Sequence, residues 1–144
     1  MTGYLLDLNV LIALSWPDHQ FHDLAQRWFA RNASKGWSTC PLVEAGFVRI
    51  LSNPAFSPLA VTPQEATAAL EESTRHPAHS FWPDSLSLAQ VWENLGPHVM
   101  GHKQVTDAYL LALAIHHKGK LATLDRGIEQ FFGKGKEHHL ETIR

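Results

Sequence analysis

The sequence predicts an α/β fold: a parallel sheet of about five strands covered by helices on both faces, a three-layer α/β/α arrangement. Three observations carry that reading. Short apolar runs alternate with amphipathic helical segments along the whole chain. No Asn-Gly type of hairpin signal joins any two of those runs, so neighbouring strands need helical crossovers. With 44% hydrophobic and 18% charged residues in 144, the chain has the apolar surface for one core, and a single domain over 1–144 is expected.

The elements follow in order. Tyr4–Asp7 reads as a strand, and Leu8–Leu14 as a short helix closed by Trp16-Pro17. Phe21, Leu24, Ala25, Trp28 and Phe29 form one apolar stripe at helical spacing, with Asp18 as its expected cap and Lys35-Gly36 as its end. Trp37–Cys40 is the second strand. Pro41 suits a first helical turn, so Leu42–Leu51 is the next helix, stopped by Asn53-Pro54. Thr62-Pro63-Gln64-Glu65 has the capping-box pattern and opens a helix to about Thr74. Ser80-Phe81-Trp82 is a third strand, and Ser85 is expected to cap Leu86–Asn94 before Gly96-Pro97 breaks it. Thr106–His117 is a periodic helix ended by Gly119, Leu121–Leu124 a strand ending on Asp125, and His139–Ile143 a final strand.

Composition removes several classes of function. The formal net charge is −2, from 12 Lys+Arg against 14 Asp+Glu with 10 histidines besides, so any nucleic-acid contact must be local. A lone cysteine, Cys40, allows neither an internal disulfide nor a Cys₄ zinc cage. The N-terminus lacks a basic leader, and Asp7 and Asn9 interrupt the apolar stretch that follows. The longest apolar run, Ala108–Ile115, is too short for a bilayer. A soluble, cytoplasmic protein without membrane contact is expected.

Most acids sit where caps or solvated faces sit; four do not. Asp7 and Asp125 each end a predicted strand, and the carboxyl edge of a parallel sheet is where ligands gather. Glu44 heads the stripe Phe47, Val48, Leu51, and Asp107 heads Leu110, Leu111, Ala114 at the same offsets. Taken singly, each acid also has a local reading, as a cap, a turn residue or a helix-dipole partner. Taken together, four carboxylates on one rim repel by roughly 4 kcal/mol per pair at about 4 Å and an effective dielectric near 20. A divalent cation relieves that repulsion, and an all-oxygen donor set suits Mg²⁺ or Mn²⁺ better than zinc.

Leu5-Leu6-Asp7-Leu8-Asn9, Pro41-Leu42-Val43-Glu44, Val105-Thr106-Asp107-Ala108 and Leu121-Ala122-Thr123-Leu124-Asp125, in that order and at those spacings, resemble the PIN-domain family and, within it, the VapC toxins of bacterial toxin–antitoxin operons. The resemblance runs from residue 4 to about 130. It implies that Asp7 and Asp107 are the principal metal ligands, with Glu44 and Asp125 as the second and fourth acids. Asn9 would orient Asp7, and Thr106 and Thr123 are hydroxyls beside the acids. It further implies Mg²⁺-dependent hydrolysis of RNA, a VapB-like antitoxin that blocks the site, and a homodimer.

An acidic site must still admit RNA. Lys118, Lys120, Arg126, Lys134 and Lys136 concentrate in the last third of the chain, and Arg126 and Arg49 each stand close to an acid in sequence. Two readings stand for both arginines: a phosphate contact, or neutralisation of the neighbouring acid. His19/His22 and His76/His79 have helical metal-ligand spacing, a competing zinc site, and Trp16 and Trp82 border loops where a partner would meet them. The alternatives to a ribonuclease are a non-catalytic RNA- or protein-binding module, a DNA nuclease of the same fold, and a phosphotransferase, whose second acid would stand where Asn9 does.

Overall fold

The computed structural model describes residues 2–56, 58–95, 101–132 and 135–144. The expected break at Gly96-Pro97 and the basic residue Lys134 lie outside the described residues. The strands are β1 (Tyr4–Leu6), β2 (Trp37–Thr39), β3 (His79–Phe81), β4 (Lys120–Thr123) and β5 (Leu140–Thr142). The α-helices are α1 (Leu8–Ser15), α2 (His22–Asn32), α3 (Pro41–Leu51), α4 (Pro63–Thr74), α5 (Leu88–Leu95), α6 (Val105–His116) and α7 (Arg126–Phe132).

All five strands are parallel, in the order β3-β2-β1-β4-β5. The chain builds outward from β1 to one side through β2 and β3, then crosses to the other side for β4 and β5. The topological switch therefore falls between β1 and β4, where the connections leave a crevice at the carboxyl ends.

Strand register assigns the layers. Tyr4 pairs with Trp37, so their side chains share a face. Tyr4 meets Trp28 at 4.9 Å between ring centroids and Phe29 meets Trp37 at 5.3 Å, which puts α2 on that face. Trp82 follows Phe81 and points the other way, where it stacks at 4.2 Å on His117 at the end of α6. Helices thus cover both faces, as the sequence predicted. α6 is buried on all sides from Ala108 to Ala114, beyond what an amphipathic surface helix requires, because α5 packs over it.

Two caps differ from expectation. α2 begins at His22 behind Phe21, so Asp18 caps nothing. α5 begins later than predicted because Ser87, not Ser85, supplies its cap: Gln90 N–H donates to Ser87 Oγ, and Ser87 N–H to Gln90 Oε1. The Thr62/Glu65 capping box forms as predicted. α7 was not foreseen: it is two turns long, and the residues it turns inward are Ile128 and Phe132. Trp82 is buried, so it completes the fold rather than facing a partner, while the half-buried Trp16 packs on Phe56 at 4.4 Å.

Candidate active site

Asp7 leaves β1 directly into α1 and caps that helix: Leu8 N–H donates to Asp7 Oδ1 at 2.8 Å. Its other oxygen, Oδ2, accepts from Thr123 Oγ1 at the end of β4, also at 2.8 Å. The same Thr123 hydroxyl accepts the Asp125 N–H at 3.0 Å, so one buried threonine ties both strand-end acids to the switch point. Asp125 Oδ1 in turn accepts from Gly127 N–H at 2.8 Å and starts α7. The local reading of these acids as caps is therefore correct, and it coexists with their convergence.

Asp7 is only 6% exposed. Burial raises its pKa, the bonds from Thr123 and Leu8 oppose the rise, and the charge of Asp125 adds to it. Asp107, in the first turn of α6, is pushed up to about 6 by burial and then by Asp7 and Asp125. Asp125 thus acts on both Asp7 and Asp107, and Asp7 acts on Asp107. The three come from separate stretches of chain, and the switch between β1 and β4 brings them together.

Glu44 sits one strand further along the same edge, in the first turn of α3 behind β2. Its Oε2 accepts from the fully buried Thr39 hydroxyl at 2.7 Å, and Thr39 Oγ1 lies 2.8 Å from His79 Nε2. Burial lowers the His79 pKa, with Glu44 acting in the opposite direction. Gly46 lets α3 approach α1, since a Cβ there would stand 2.8 Å from Leu8 Cδ2. Neither Thr39 nor His79 was picked out from sequence as a partner of Glu44. The signal was present in the strand register, which only becomes readable once β2 and β3 are paired.

Among the described residues, no three His, Cys, Asp or Glu side chains meet closely enough to enclose a metal ion by themselves. The ring nitrogens of the two histidine pairs instead meet groups of the protein itself. His22 Nδ1 contacts Ala13 O at 2.7 Å, His19 Nδ1 accepts from Phe21 N–H, and His76 Nδ1 accepts from Ala78 N–H. Burial pushes the Cys40 thiol up to about 12, which keeps it protonated and unreactive.

Asp107 and Asp125 open into a cavity of about 410 Å³ lined also by Lys103, Gln104, Gln130 and Phe131. Among the described residues that line this cavity, Lys103 is the one cation, and the sequence reading passed over it. Lys118 and Lys120, by contrast, stand at the amino end of β4, one β-strand's length from the acids, because β4 runs from the lysines toward Asp125. They do not flank the site. Arg126 is exposed and makes no ion pair among the described residues. Arg49 and the exposed Thr106 line a separate groove between α3 and α6 with Leu42 and Leu110. Asn9 is exposed, and Asp7 takes its hydrogen bonds from Leu8 and Thr123 instead, so the expected role of Asn9 in orienting Asp7 is not seen.

A five-stranded parallel sheet with aspartates gathered at its switch point defines a class of small α/β domain with an acidic carboxyl edge. A PIN domain model matches residues 4–132. Ribonuclease VapC39 of Mycobacterium tuberculosis is 45% identical over 124 residues, covering 86% of this chain and 89% of its own. Ribonuclease VapC29 of the same organism is 44% identical over 129 residues, or 90% of each chain. The chain belongs to the PIN-domain family, among its VapC-type members. The crystal structure of Mycobacterium tuberculosis VapC20, described as a sarcin–ricin loop cleaving toxin, matches with a TM-score of 0.66 at 17% identity, covering 89% of this chain and 94% of that one. Rickettsia felis VapBC2, bound to a DNA fragment from its promoter, matches at 0.64 and 13% over 98% of each chain. At those identities the two structures speak for the fold.

Proposed function

We propose that this chain is a metal-dependent endoribonuclease, the toxin of a VapBC-type toxin–antitoxin pair. The observation that carries the reading is the gathering of three aspartates at the β1/β4 switch point: Thr123 links Asp7 to Asp125, Asp7 and Asp125 both act on Asp107, and Asp107 and Asp125 line a cavity of about 410 Å³. The names of the relatives at 45% and 44% identity support ribonuclease activity, and the toxin–antitoxin complexes among the structural neighbours support an antitoxin partner.

The donor set fits a hard divalent cation. All the candidate ligands are carboxylate oxygens, and the proton affinity of Asp7 and Asp107 is raised first by burial and then by neighbouring aspartates, so the ionised forms lack compensation. Mg²⁺ is ordinarily held by one or two carboxylates, with water and substrate phosphate completing its shell. Asp7 and Asp107 would hold the ion, with Asp125 and Glu44 around it; Mn²⁺ suits the same oxygens. When bound, such a cation offsets the carboxylate charge and polarises a phosphodiester toward attack by water.

The protein's own groups do the rest. Thr123 and the Leu8 N–H fix both oxygens of Asp7, so its carboxylate is pre-oriented. Burial keeps bulk water away from Asp7. Lys103 gives the cavity wall one positive charge for the RNA backbone, and Phe131, 40% exposed, offers a ring for a base to stack on.

Incubation with RNA in Mg²⁺ and in EDTA tests the proposal. Cleavage that requires Mg²⁺, leaves 5′-phosphate ends and disappears in Asp7→Asn and Asp107→Asn is the expected result; full activity in either variant overturns it. An all-deoxy substrate separates a ribonuclease from a DNA nuclease of this fold. Homodimerisation, a cytoplasmic location and capture of a co-encoded antitoxin belong to the same proposal, and sedimentation of the chain alone and with that antitoxin tests the assembly.

A further inference from the structure

Glu44 is a flexible side chain with three rotatable bonds, and at a metal-dependent site its direction matters. We propose that His79 is a positioning residue for Glu44, acting through the Thr39 hydroxyl. The inference rests on the ribonuclease reading above and concerns how the second acid of that site is held.

Hydrogen-bond accounting gives the direction of the chain. The Thr39 hydroxyl has one proton and two polar neighbours, Glu44 Oε2 at 2.7 Å and His79 Nε2 at 2.8 Å. A carboxylate only accepts, so the Thr39 proton goes to Glu44. The Thr39 oxygen is then left to accept, which assigns Nε2 of His79 as the donor, with the Thr74 carbonyl also bonded to the ring. Thr39 is completely buried, so no solvent competes for either bond.

The fold explains why this histidine makes the reach. His79 opens β3 in register with Trp37, two residues below Thr39 on the same face of the sheet. An imidazole is long enough to span that step, and it rests against the Trp37 ring at 4.6 Å. Side chain and backbone of β2 and β3 thus aim one N–H at Thr39. Among the described residues Glu44 Oε1 has no hydrogen-bond partner, which leaves that oxygen for the site while Oε2 is held. The device parallels Thr123 holding Asp7 Oδ2, with a histidine added behind the hydroxyl.

Titration calorimetry of Mn²⁺ into the full chain, without RNA and without turnover, reads the effect. His79→Phe keeps a ring against Trp37 and removes the donor; Thr39→Val removes the hydroxyl. Each is expected to weaken Mn²⁺ binding about 10-fold, the lower end for groups that orient metal ligands. Because both act on one chain of bonds, the double variant should be no weaker than the single ones. His79→Gln, which keeps an N–H near the Nε2 position, and Thr39→Ser should bind several-fold tighter than the Phe and Val variants.

Wild-type affinity in folded His79→Phe overturns the inference, as do effects that multiply in the double variant. If His79→Phe does not fold, Thr39→Val against Thr39→Ser and His79→Gln against His79→Leu make the same comparison. Asp7→Asn serves as the reference. Retained Mn²⁺ binding there overturns the metal reading and this one with it, whereas lost binding there beside an unaffected His79→Phe overturns only the role of His79.

Discussion

The two halves of the acidic edge hold their carboxylates differently. At the β1/β4 crevice three aspartates face one another: Asp125 adds to the raised proton affinity of Asp7, and Asp7 and Asp125 add to that of Asp107, on top of burial. At the β2/β3 side a single glutamate is held by a threonine that also meets a histidine. Both halves use a fully buried threonine hydroxyl at the end of a strand, Thr123 in one and Thr39 in the other. In the first half burial and neighbouring charge both disfavour the ionised carboxylates, while in the other half the carboxylate is supported by a hydrogen bond within the protein. Under the proposed function, the first half would hold the cation and the second would aim a further acid toward it.

The sharpest way to break that contrast is to neutralise the crowded half. Asp7→Asn or Asp107→Asn should lower RNA cleavage by about three orders of magnitude, or roughly 4 kcal/mol in the barrier, measured as initial rates on a defined RNA. A loss under tenfold in both would mean that the aspartates are structural.

Removing the two threonine hydroxyls compares the halves in stability. Thr123→Val leaves the buried Asp7 with one partner fewer, which should cost about 1–3 kcal/mol in metal-free chemical unfolding. Thr39→Val should cost less, about 1 kcal/mol, because the partly exposed Glu44 turns to water. Equal losses would erase the distinction between a crowded, buried carboxylate and a supported one.

A smaller effect concerns pH. Asp107 has a folded pKa of about 6 against an ordinary value of 3.8, so folding favours its protonated form. That contribution is complete below the unfolded value and is lost as pH rises through about 6. In EDTA, Asp107→Asn should be more stable than the parent at pH 7.5, by about 1 kcal/mol after allowing for solvent around this half-exposed group. The gap should close by pH 4, and Mg²⁺ should narrow it at pH 7.5. A gap that does not change with pH would remove the charge-crowding account of Asp107.

The smallest effect distinguishes the two ends of the sheet. Lys103→Gln should weaken RNA binding a few-fold and reduce the salt dependence by about one counterion. Lys118→Asn and Lys120→Gln, at the far end of β4, should leave both unchanged in filter binding across a salt series. A larger effect from the distal pair would place the RNA path away from the crevice.

How much could be read from the chain alone varied by element. α4 was plain because Thr62 and Glu65 make their capping box within four residues. The start of α5 was misplaced because Ser85 and Ser87 are equal candidates until Gln90 chooses between them. α7 escaped because two turns carry too few apolar positions to show a period. The basic residues show the same limit: a concentration of lysines in the last third of the chain drew attention to Lys118 and Lys120, which the strand direction carries away from the acids, while Lys103, just before α6, lines the cavity.

The sequence by itself determined the parallel α/β class, most of the strands and helices, and the four acids at strand ends and helix starts. Periodicity, caps and turn residues act over a few residues, so a linear reading captures them. The tertiary structure alone decided that Thr123 serves Asp7 across 116 positions and that His79 serves Thr39 across 40. It also decided that Asn9 faces outward while Lys103 faces the site. Those pairings depend on strand order and register, and no local preference encodes which residues two distant strands will bring side by side.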